Sequence, residues 1–305
     1  MISIRGLKKR FGKKEVLSGL NLTVGDGELF AFIGTNGAGK TTTLRILSGL
    51  LSPDAGEVTV NGYDLCRQRR EAKKQIGYMP DAFGTYDNLT IREYMEFFAD
   101  IYQLPVREQK VRISELLQMV HLEQNAEQLV DTLSRGTKQK LCLARTLIHR
   151  PGILLLDEPA SGLEPAARLE LRQILQRLSG EGTTILISSH ILSELSVFCT
   201  NIGIIDQGRI LLQGSKEEVL RQANRNNPIE ITVIQGVDTA MRLLKANPLI
   251  KQIARDQEVI LVQLEGGRRE EAAVLSYLVE NGVQVASYKK REGDLESLFL
   301  KLTKG

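Results

Sequence analysis

Glu28 to Gly49 reads ELFAFIGTNGAGKTTTLRILSG, and the change of rhythm inside it decides the architecture. The apolar run ELFAFI predicts a strand, and from Thr41 onward apolar residues return at helical spacing. Between them Gly34 to Thr41 satisfies the pattern G-x-x-x-x-G-K-[ST], in the strand, loop and helix context that gives the pattern its meaning. Gly34, Gly37 and Gly39 let the backbone curl with its N–H groups inward, and the following helix adds positive potential at its N-terminus. Thr35, Asn36 and Ala38 complete this phosphate cradle. Lys40 is placed to reach the outer phosphates, and Thr41, followed by Thr42, offers a hydroxyl to Mg2+.

A second anion-holding feature lies much later. Asp131 to Arg145 reads DTLSRGTKQKLCLAR, in which Ser134 and Gly136 open a predicted helix whose start suits an anion. From Lys138 the order becomes helix, buried strand (ILLLD), helix (PAARLELRQILQRLS), strand (TTILISS), helix (ILSELSVFC) and strand (NIGIIDQGRIL). Such alternation indicates a parallel sheet clothed by helices. The strand ILLLDEP ends in Asp157 and Glu158, where it emerges toward the loop side of the sheet. Asp157 fits the acid of a magnesium shell. Glu158 is placed to orient or deprotonate a water attacking the outermost phosphorus. The plainer alternative is that the pair caps the next helix, which leaves its pairing with a phosphate loop on a neighbouring strand unexplained. ILISSH brings His190 to the next strand end on the same edge, where it can hydrogen-bond an outer phosphate. His121 and His149 have no such neighbourhood.

The 305 residues leave room for one large or two unequal domains. Forty Lys and Arg against 37 Asp and Glu give a net charge of +3. The short runs Lys8-Lys9-Arg10, Arg69-Arg70, Lys73-Lys74, Arg268-Arg269 and Lys289-Lys290-Arg291 are scattered, which reads as solvated surface and argues against a nucleic-acid partner. No apolar run approaches the roughly 18–20 residues needed to cross a bilayer. The start MISIRGLKKRFGKK has charges but no apolar block behind them, which argues against a secretory signal and for the cytoplasm. Cys66, Cys142 and Cys199 are isolated and odd in number, so buried reduced thiols are expected rather than disulfides or a zinc site.

Alternation in ISIRGLKKRF and in LNLTVGDGELFAFIG predicts strands separated by a turn at GKK, the second running directly into the phosphate loop. Between about 85 and 150 the chain reads as a helical block, with Tyr94, Phe97, Phe98 and Ile101, then Val111, Leu116, Leu117 and Val120, at helical intervals. RQANRNNP at 221–228 is polar, rich in Asn and closed by proline, and reads as a linker. Beyond it, 229–305 reads as strand (IEITVI), helix (TAMRLLKAN), two strands (LIKQIAR, EVILVQL), helix (REEAAVLSYLVENG), strand (VQVASYKK) and a last helix (DLESLFLKL). That order is the ferredoxin-like split pattern.

Taken in order, the phosphate loop, LSRGT, ILLLDEP, SGLEP and SSH resemble the motif set of the ATP-binding-cassette (ABC) ATPases over about residues 1–216. The resemblance implies an α/β P-loop NTPase fold of the ABC-ATPase kind over 1–220, with a mostly parallel sheet, an antiparallel β part and a helical subdomain, followed by the small α+β domain. It implies two nucleotide-binding domains packed head to tail, with ATP between the phosphate loop of one and the LSGGQ-type helix start of the other. Ser134 and Gly136 would then act on nucleotide held by a second copy. On the same ground Phe11 stacks on adenine, Thr41 and Asp157 manage Mg2+, and Glu158 and His190 serve hydrolysis. The ending SLFLKLT and the appended domain resemble ATP-binding subunits of bacterial exporters with a separate transmembrane permease subunit. This implies a homodimeric ATPase on the inner face of the cell membrane that couples ATP hydrolysis to export. In that family the helical block faces the membrane part, whereas by periodicity the stripe Tyr94, Phe97, Phe98 and Tyr102 reads as core with only its edge for contact.

Three departures stand out. Arg135 and Thr137 replace the second small residue and the glutamine of LSGGQ, and Glu164 stands where an aspartate is usual. After QIGYMP the family usually carries a glutamine that touches Mg2+ and relays to the membrane partner; here Asp81 offers a hard oxygen ligand with more charge and shorter reach. Two other readings stay open: a soluble ABC protein acting on the ribosome or DNA, although such proteins generally fuse two cassettes or insert long coiled coils, and a nucleotide-gated regulatory module with little turnover.

Overall fold

The computed structural model describes residues 1–82, 84, 86, 88–224, 228–290 and 298–299. The chain divides into two compact units, Met1–Lys216 and Glu217–Gly305. The first opens with the antiparallel pair β1 (Ile2–Phe11) and β2 (Lys14–Val24), followed by β3 (Leu29–Gly34), α1 (Lys40–Leu47), β4 (Ala55–Val60), β5 (Tyr63–Asp64), α2 (Arg69–Lys74) and β6 (Ile76–Met79). A helical block of α3 (Ile91–Ile101), α4 (Val106–Met119) and α5 (Arg135–Thr146) comes next. Then β7 (Ile153–Asp157), α6 (Pro165–Gly180), β8 (Thr184–Ser189), α7 (Leu192–Leu195), β9 (Asn201–Asp206) and β10 (Arg209–Ser215) complete the unit.

Two sheets result. One is antiparallel, in the order β2-β1-β4-β5; the other runs β10-β9-β3-β8-β7-β6 and is parallel except for β10 at its edge. β3, β7 and β8 are buried along their whole length, which is why their sequences read as unbroken apolar runs rather than alternations. One core joins the sheets: Ile2, Leu20 and Val58 of the antiparallel sheet pack in a cluster with Phe30, Phe32 and Leu155 of the other and with Leu44 of α1. The sequence places the phosphate loop and the acidic pair on neighbouring strands, but β8 lies between β3 and β7. Register sets their ends level, Ile33 opposite Ser189 and Asp157 opposite Ser188.

Other expectations need correction. LNLTVGDGELFAFIG is not one strand: β2 ends at Val24, a turn at Asp26 and Gly27 follows, and β3 begins at Leu29. NIGIIDQGRIL is not one strand but a hairpin, turned at Gln207 (φ 45) and Gly208 (φ 74), both left-handed as a two-residue turn between twisted strands requires. The helix expected over ILSELSVFC shortens to α7. α3 starts from Thr90 with a capping box to Glu93 and buries Tyr94, while Phe98 is half-buried and Phe97, Ile101 and Tyr102 stay exposed. Val111 is exposed because the inward face of α4 runs through Gln109, Ile113, Leu116 and Leu117. Cys142 and Cys199 are buried, with burial pushing the Cys142 thiol up to about 11, but Cys66 is exposed.

Residues 221–224, expected to begin a linker, continue a helix instead, α8 (Lys216–Asn224). Glu217 and Glu218 in its first turn and Arg221 in its last complement its dipole. Residues 225–227 lie outside the described residues. The second unit then contains β11 (Ile229–Gln235), α9 (Val237–Ala246), β12 (Ile250–Asp256), β13 (Val259–Leu264), α10 (Arg268–Glu280) and β14 (Gln284–Lys290). Its sheet has the order β12-β13-β11-β14 with every neighbouring pair antiparallel, a split β-α-β arrangement. Ile231, Ile260 and Val262 cluster with Leu244 of α9 and Val274 and Leu278 of α10. Apart from Leu298 and Phe299, the last expected helix, DLESLFLKL, lies outside the described residues. Among those described, no helix is long and apolar enough to cross a membrane.

The hairpin turn gives a direct test. A Cβ at Gly208 would sit 2.2 Å from the Val16 carbonyl oxygen, in a backbone conformation that L-residues avoid. Gly208→Ala should cost about 2–3 kcal/mol, read as a lower midpoint in urea unfolding of the full chain.

Candidate active site

The C-terminal edge of the parallel sheet carries the chemistry, as expected where strands hand over to loops. β3 delivers Gly34, where a Cβ would come within 2.5 Å of the Ile205 carbonyl oxygen. Gly39 (φ 113) lets the loop turn into α1, and a Cβ there would press on Leu17 Cδ2 at 2.7 Å, so the loop is wedged against β2. No side chain caps α1, which leaves its first-turn N–H groups for an anion.

Lys40 is buried and its Nζ donates to the carbonyl oxygens of Gly34 at 2.7 Å and Thr35 at 3.3 Å, while lying 3.4 Å from Glu158 Oε1. Asp157 Oδ1 accepts two hydrogen bonds, from Thr41 Oγ1 at 3.1 Å and from Ser188 Oγ at 2.7 Å. Ser188 Oγ in turn accepts the Glu158 N–H at 3.1 Å. That amide belongs to a left-handed residue: Glu158 has φ 48 and turns off the line of β7. Its Oε2 meets His190 Nδ1 at 2.9 Å. One hydrogen-bonded and ionic chain therefore runs from Thr41 through Asp157, Ser188 and Glu158 to Lys40 and His190.

Lys40, Thr41, Glu158 and His190 line a cavity of about 410 Å³, together with Thr35, Asn36, Gly37, Gly39, Thr42 and Asp81. Lys14, Val16 and Ser161 also line it, and Ser188 supports it from below. Nothing local in the sequence marks Lys14 or Val16, which reach the site only through the packing of β2. Ser188 did leave a signal, a hydroxyl where a doubly buried strand ordinarily carries an aliphatic side chain. Gly34 and Ala38 shape the loop without lining the cavity. Phe11 is exposed, with Lys9 Nζ 5.6 Å from its ring centre, and borders a separate cavity of about 630 Å³ that shares Thr42.

Ser134 and Gly136 are not among the walls of the phosphate cavity. Ser134 is exposed and caps α5, accepting the Thr137 N–H at 3.3 Å, with the Thr137 hydroxyl 2.9 Å away. The Arg135 guanidinium lies over Gly162, so the SGLEP turn and the altered LSGGQ-type stretch meet through this replacement. Glu164 occupies the N-cap position of α6, but its side chain makes no hydrogen bond to the helix N-terminus.

Asp157 is buried and its Oδ2 has no partner. Burial raises its pKa above the ordinary 3.8; the bonds from Ser188 and Thr41 pull the other way, and the charges of Glu158 and Asp81 add to the rise. A carboxylate oxygen left bare beside a hydroxyl fits a hard cation. Mg2+ suits the set best, because it takes few protein ligands and completes its shell with water and phosphate oxygens. Among the described residues no group of three or more His, Cys, Asp or Glu could hold a metal by itself.

Residues 17–161 match the family model described as ABC transporter. The linearmycin resistance ATP-binding protein LnrL of Bacillus subtilis is 32% identical over 311 residues, covering 99% of this chain and 98% of the relative. This chain belongs to the ABC transporter family. The bacitracin transport ATP-binding protein BcrA of Bacillus licheniformis is 34% identical to this ABC protein over 306 residues, covering 100% of it and 98% of the relative. Among solved structures, a dimeric ATP-binding cassette in a post-hydrolysis state bound to ADP and Pi is similar, with a TM-score of 0.64, 26% identity and coverage of 71% of this chain and 99% of that one. The fold is the P-loop ABC-ATPase fold, a mixed sheet with helices.

Two measurements test the site in the absence of nucleotide. Ser188→Ala leaves the Glu158 N–H without its partner and Asp157 Oδ1 with one donor fewer, and should cost about 1–3 kcal/mol, most of it restored by Ser188→Thr. Asp157 with a raised pKa binds a proton more readily folded than unfolded, so its contribution to stability falls as pH rises through the window above 3.8. In a chelating buffer Asp157→Asn should therefore unfold at higher urea than the parent at pH 7, with the difference closing toward pH 4.

Proposed function

We propose that two copies of this ABC protein bind ATP jointly, hydrolyse it, and so drive export through a separate transmembrane permease subunit at the inner face of the membrane. One observation carries the reading: Lys40, Thr41, Glu158 and His190 converge on one cavity over the buried Asp157, while Ser134 and Gly136 stand outside it. The names of similar proteins agree in kind, since they include ATP-binding proteins of bacitracin transport and of Nod factor export.

In this reading the loop N–H groups from Gly34 to Thr42 and the Lys40 ammonium hold the phosphates. Thr41 and Asp157, with Asp81 on the same wall, would hold Mg2+, which neutralises charge on the phosphate oxygens. Glu158 orients the attacking water and takes its proton at the carboxylate. His190, bonded to Glu158 through Nδ1, fixes that carboxylate and turns its other ring nitrogen to the outer phosphate. The left-handed backbone at Glu158, held by Ser188, sets the direction of the carboxylate. Ser134 Oγ, the Gly136 N–H and the α5 dipole come from the second copy and close over the outer phosphate, so ATP joins the copies and hydrolysis releases them. Phe11, across Thr42 from the phosphate cavity, offers its exposed ring to adenine.

Phosphate release tests this reading. Lys40→Ala should abolish it, and Glu158→Gln should lower it by about 10²–10⁴-fold. In size-exclusion chromatography Glu158→Gln should run as a dimer with ATP and as a monomer without it. A variant that stays monomeric at saturating ATP contradicts the shared site. Abundant phosphate release by the parent chain excludes a module that only senses nucleotide.

A further inference from the structure

Lys14 lines the phosphate cavity although no motif contains it, and its place at the tip of the β1–β2 hairpin limits what it can meet. The hairpin closes through Gly12 and Lys13, so Phe11 and Lys14 are direct antiparallel partners whose side chains leave the same face. Further along, the register shifts between Lys9 and Arg10, which leaves Val16 without a partner on β1. A bulge of this kind bends the strand and re-aims its side chains. Val16 too lines the phosphate cavity, and a Cβ at Gly39 would lie 3.2 Å from the Val16 carbonyl oxygen, so β2 runs beside the phosphate loop there. Phe11 borders the neighbouring cavity, which shares only Thr42 with this one. Lys14 thus links the two, level with the ring and on the wall of the loop's cavity. Of the two lysines on that wall, Lys40 is engaged by the carbonyl oxygens of Gly34 and Thr35 and by Glu158. Lys14 is exposed, and among the described residues it has neither an ion pair nor a hydrogen bond, although Asp81 and Glu158 share the wall.

We infer that Lys14 binds the inner phosphate of the nucleotide, the one bonded to the ribose. The inference rests on the proposed ATP site and adds a residue to it. A nucleotide presents base, ribose, inner phosphate and outer phosphates in fixed order. With the base on Phe11 and the outer phosphates at Lys40, the inner phosphate is the anion that falls between them, in reach of a residue level with Phe11 whose side chain lines the phosphate cavity. Lysine suits this task, because a compact charge on a flexible stem follows one phosphate oxygen without the fixed geometry of an arginine fork. Its charge also offsets the carboxylates of Asp81 and Glu158, which an incoming polyphosphate meets on the same wall.

Calorimetric titration of the full chain with ADP and with a non-hydrolysable ATP analogue tests it. Both nucleotides carry the inner phosphate, so Lys14→Ala should weaken both by the same factor, about fivefold for a charge-assisted bond at an exposed site. Lys14→Arg should restore most of the affinity, and the gap between parent and Lys14→Ala should narrow as salt is added. Lys13→Ala, one residue away in the turn and off the cavity wall, should bind as the parent does, which separates a contact from a general change in charge. Unchanged urea midpoints show that the variants remain folded. A loss confined to the ATP analogue would put Lys14 on the outer phosphates and overturn the assignment, as would equal losses in Lys13→Ala and Lys14→Ala. A parent that binds both nucleotides while Lys14→Ala binds them as tightly overturns this assignment alone; a parent that binds neither overturns the ATP site with it.

Discussion

A buried carboxylate governs the arrangement of the first unit. Asp157 ends a strand enclosed on both faces, where an ionised group without partners is strongly unfavourable. Two hydroxyls, from Thr41 and Ser188, offset part of that penalty on one oxygen, and the other oxygen remains bare. The arrangement works only if three non-consecutive pieces of chain stop at the same height. The parallel register supplies this, since β3, β8 and β7 lie side by side with Ile33, Ser189, Ser188 and Asp157 at a common level. Strand pairing, set by apolar burial far from the loop, thus places the hydroxyls that tolerate the charge.

The loop that faces Asp157 is held from behind by backbone. The Gly208 N–H donates to the Ala38 carbonyl oxygen at 2.9 Å, and the Gly208 carbonyl oxygen accepts the Ser18 N–H at 3.2 Å. The β9–β10 turn therefore ties the phosphate loop to β2. Gly34 against Ile205, Gly39 against Leu17 and Gly208 against Val16 leave no room for a Cβ. These close approaches make the cradle rigid before any ligand arrives, so the N–H groups that meet phosphate need little reordering on binding.

Much of this was legible because it is local. The glycine spacing, Lys40 and Thr41 lie within one loop, and Asp157, Glu158 and His190 each follow directly on an apolar run whose end is visible in the sequence. What escaped depends on contacts between distant segments. Lys14 and Val16 enter the cavity wall because the antiparallel sheet packs against the loop, and the β9–β10 hairpin matters because of what its turn touches. Apolar periodicity also misassigned Val111, since a single valine between polar residues fits two helix faces and only the neighbouring helices choose. At 221–224 the polar residues that suggested a linker are equally suited to the end of a short exposed helix with complementary charges.

On the proposed reading the helix start at Ser134 is what a second copy supplies. Its hydroxyl and that of Thr137 satisfy each other and the first turn of α5, which keeps the exposed N-terminus stable without an anion. An anion placed there competes with these weak neutral bonds rather than with a buried ion pair, so on the proposed reading little is lost when phosphate takes them over and little holds the copies together once phosphate leaves. Arg135 is committed to the turn at Gly162, which ties the same helix start to the segment that follows Glu158. On the proposed reading a change at the outer phosphate of one site is thereby linked, through the Arg135 side chain, to the catalytic loop of the copy that supplies the helix start.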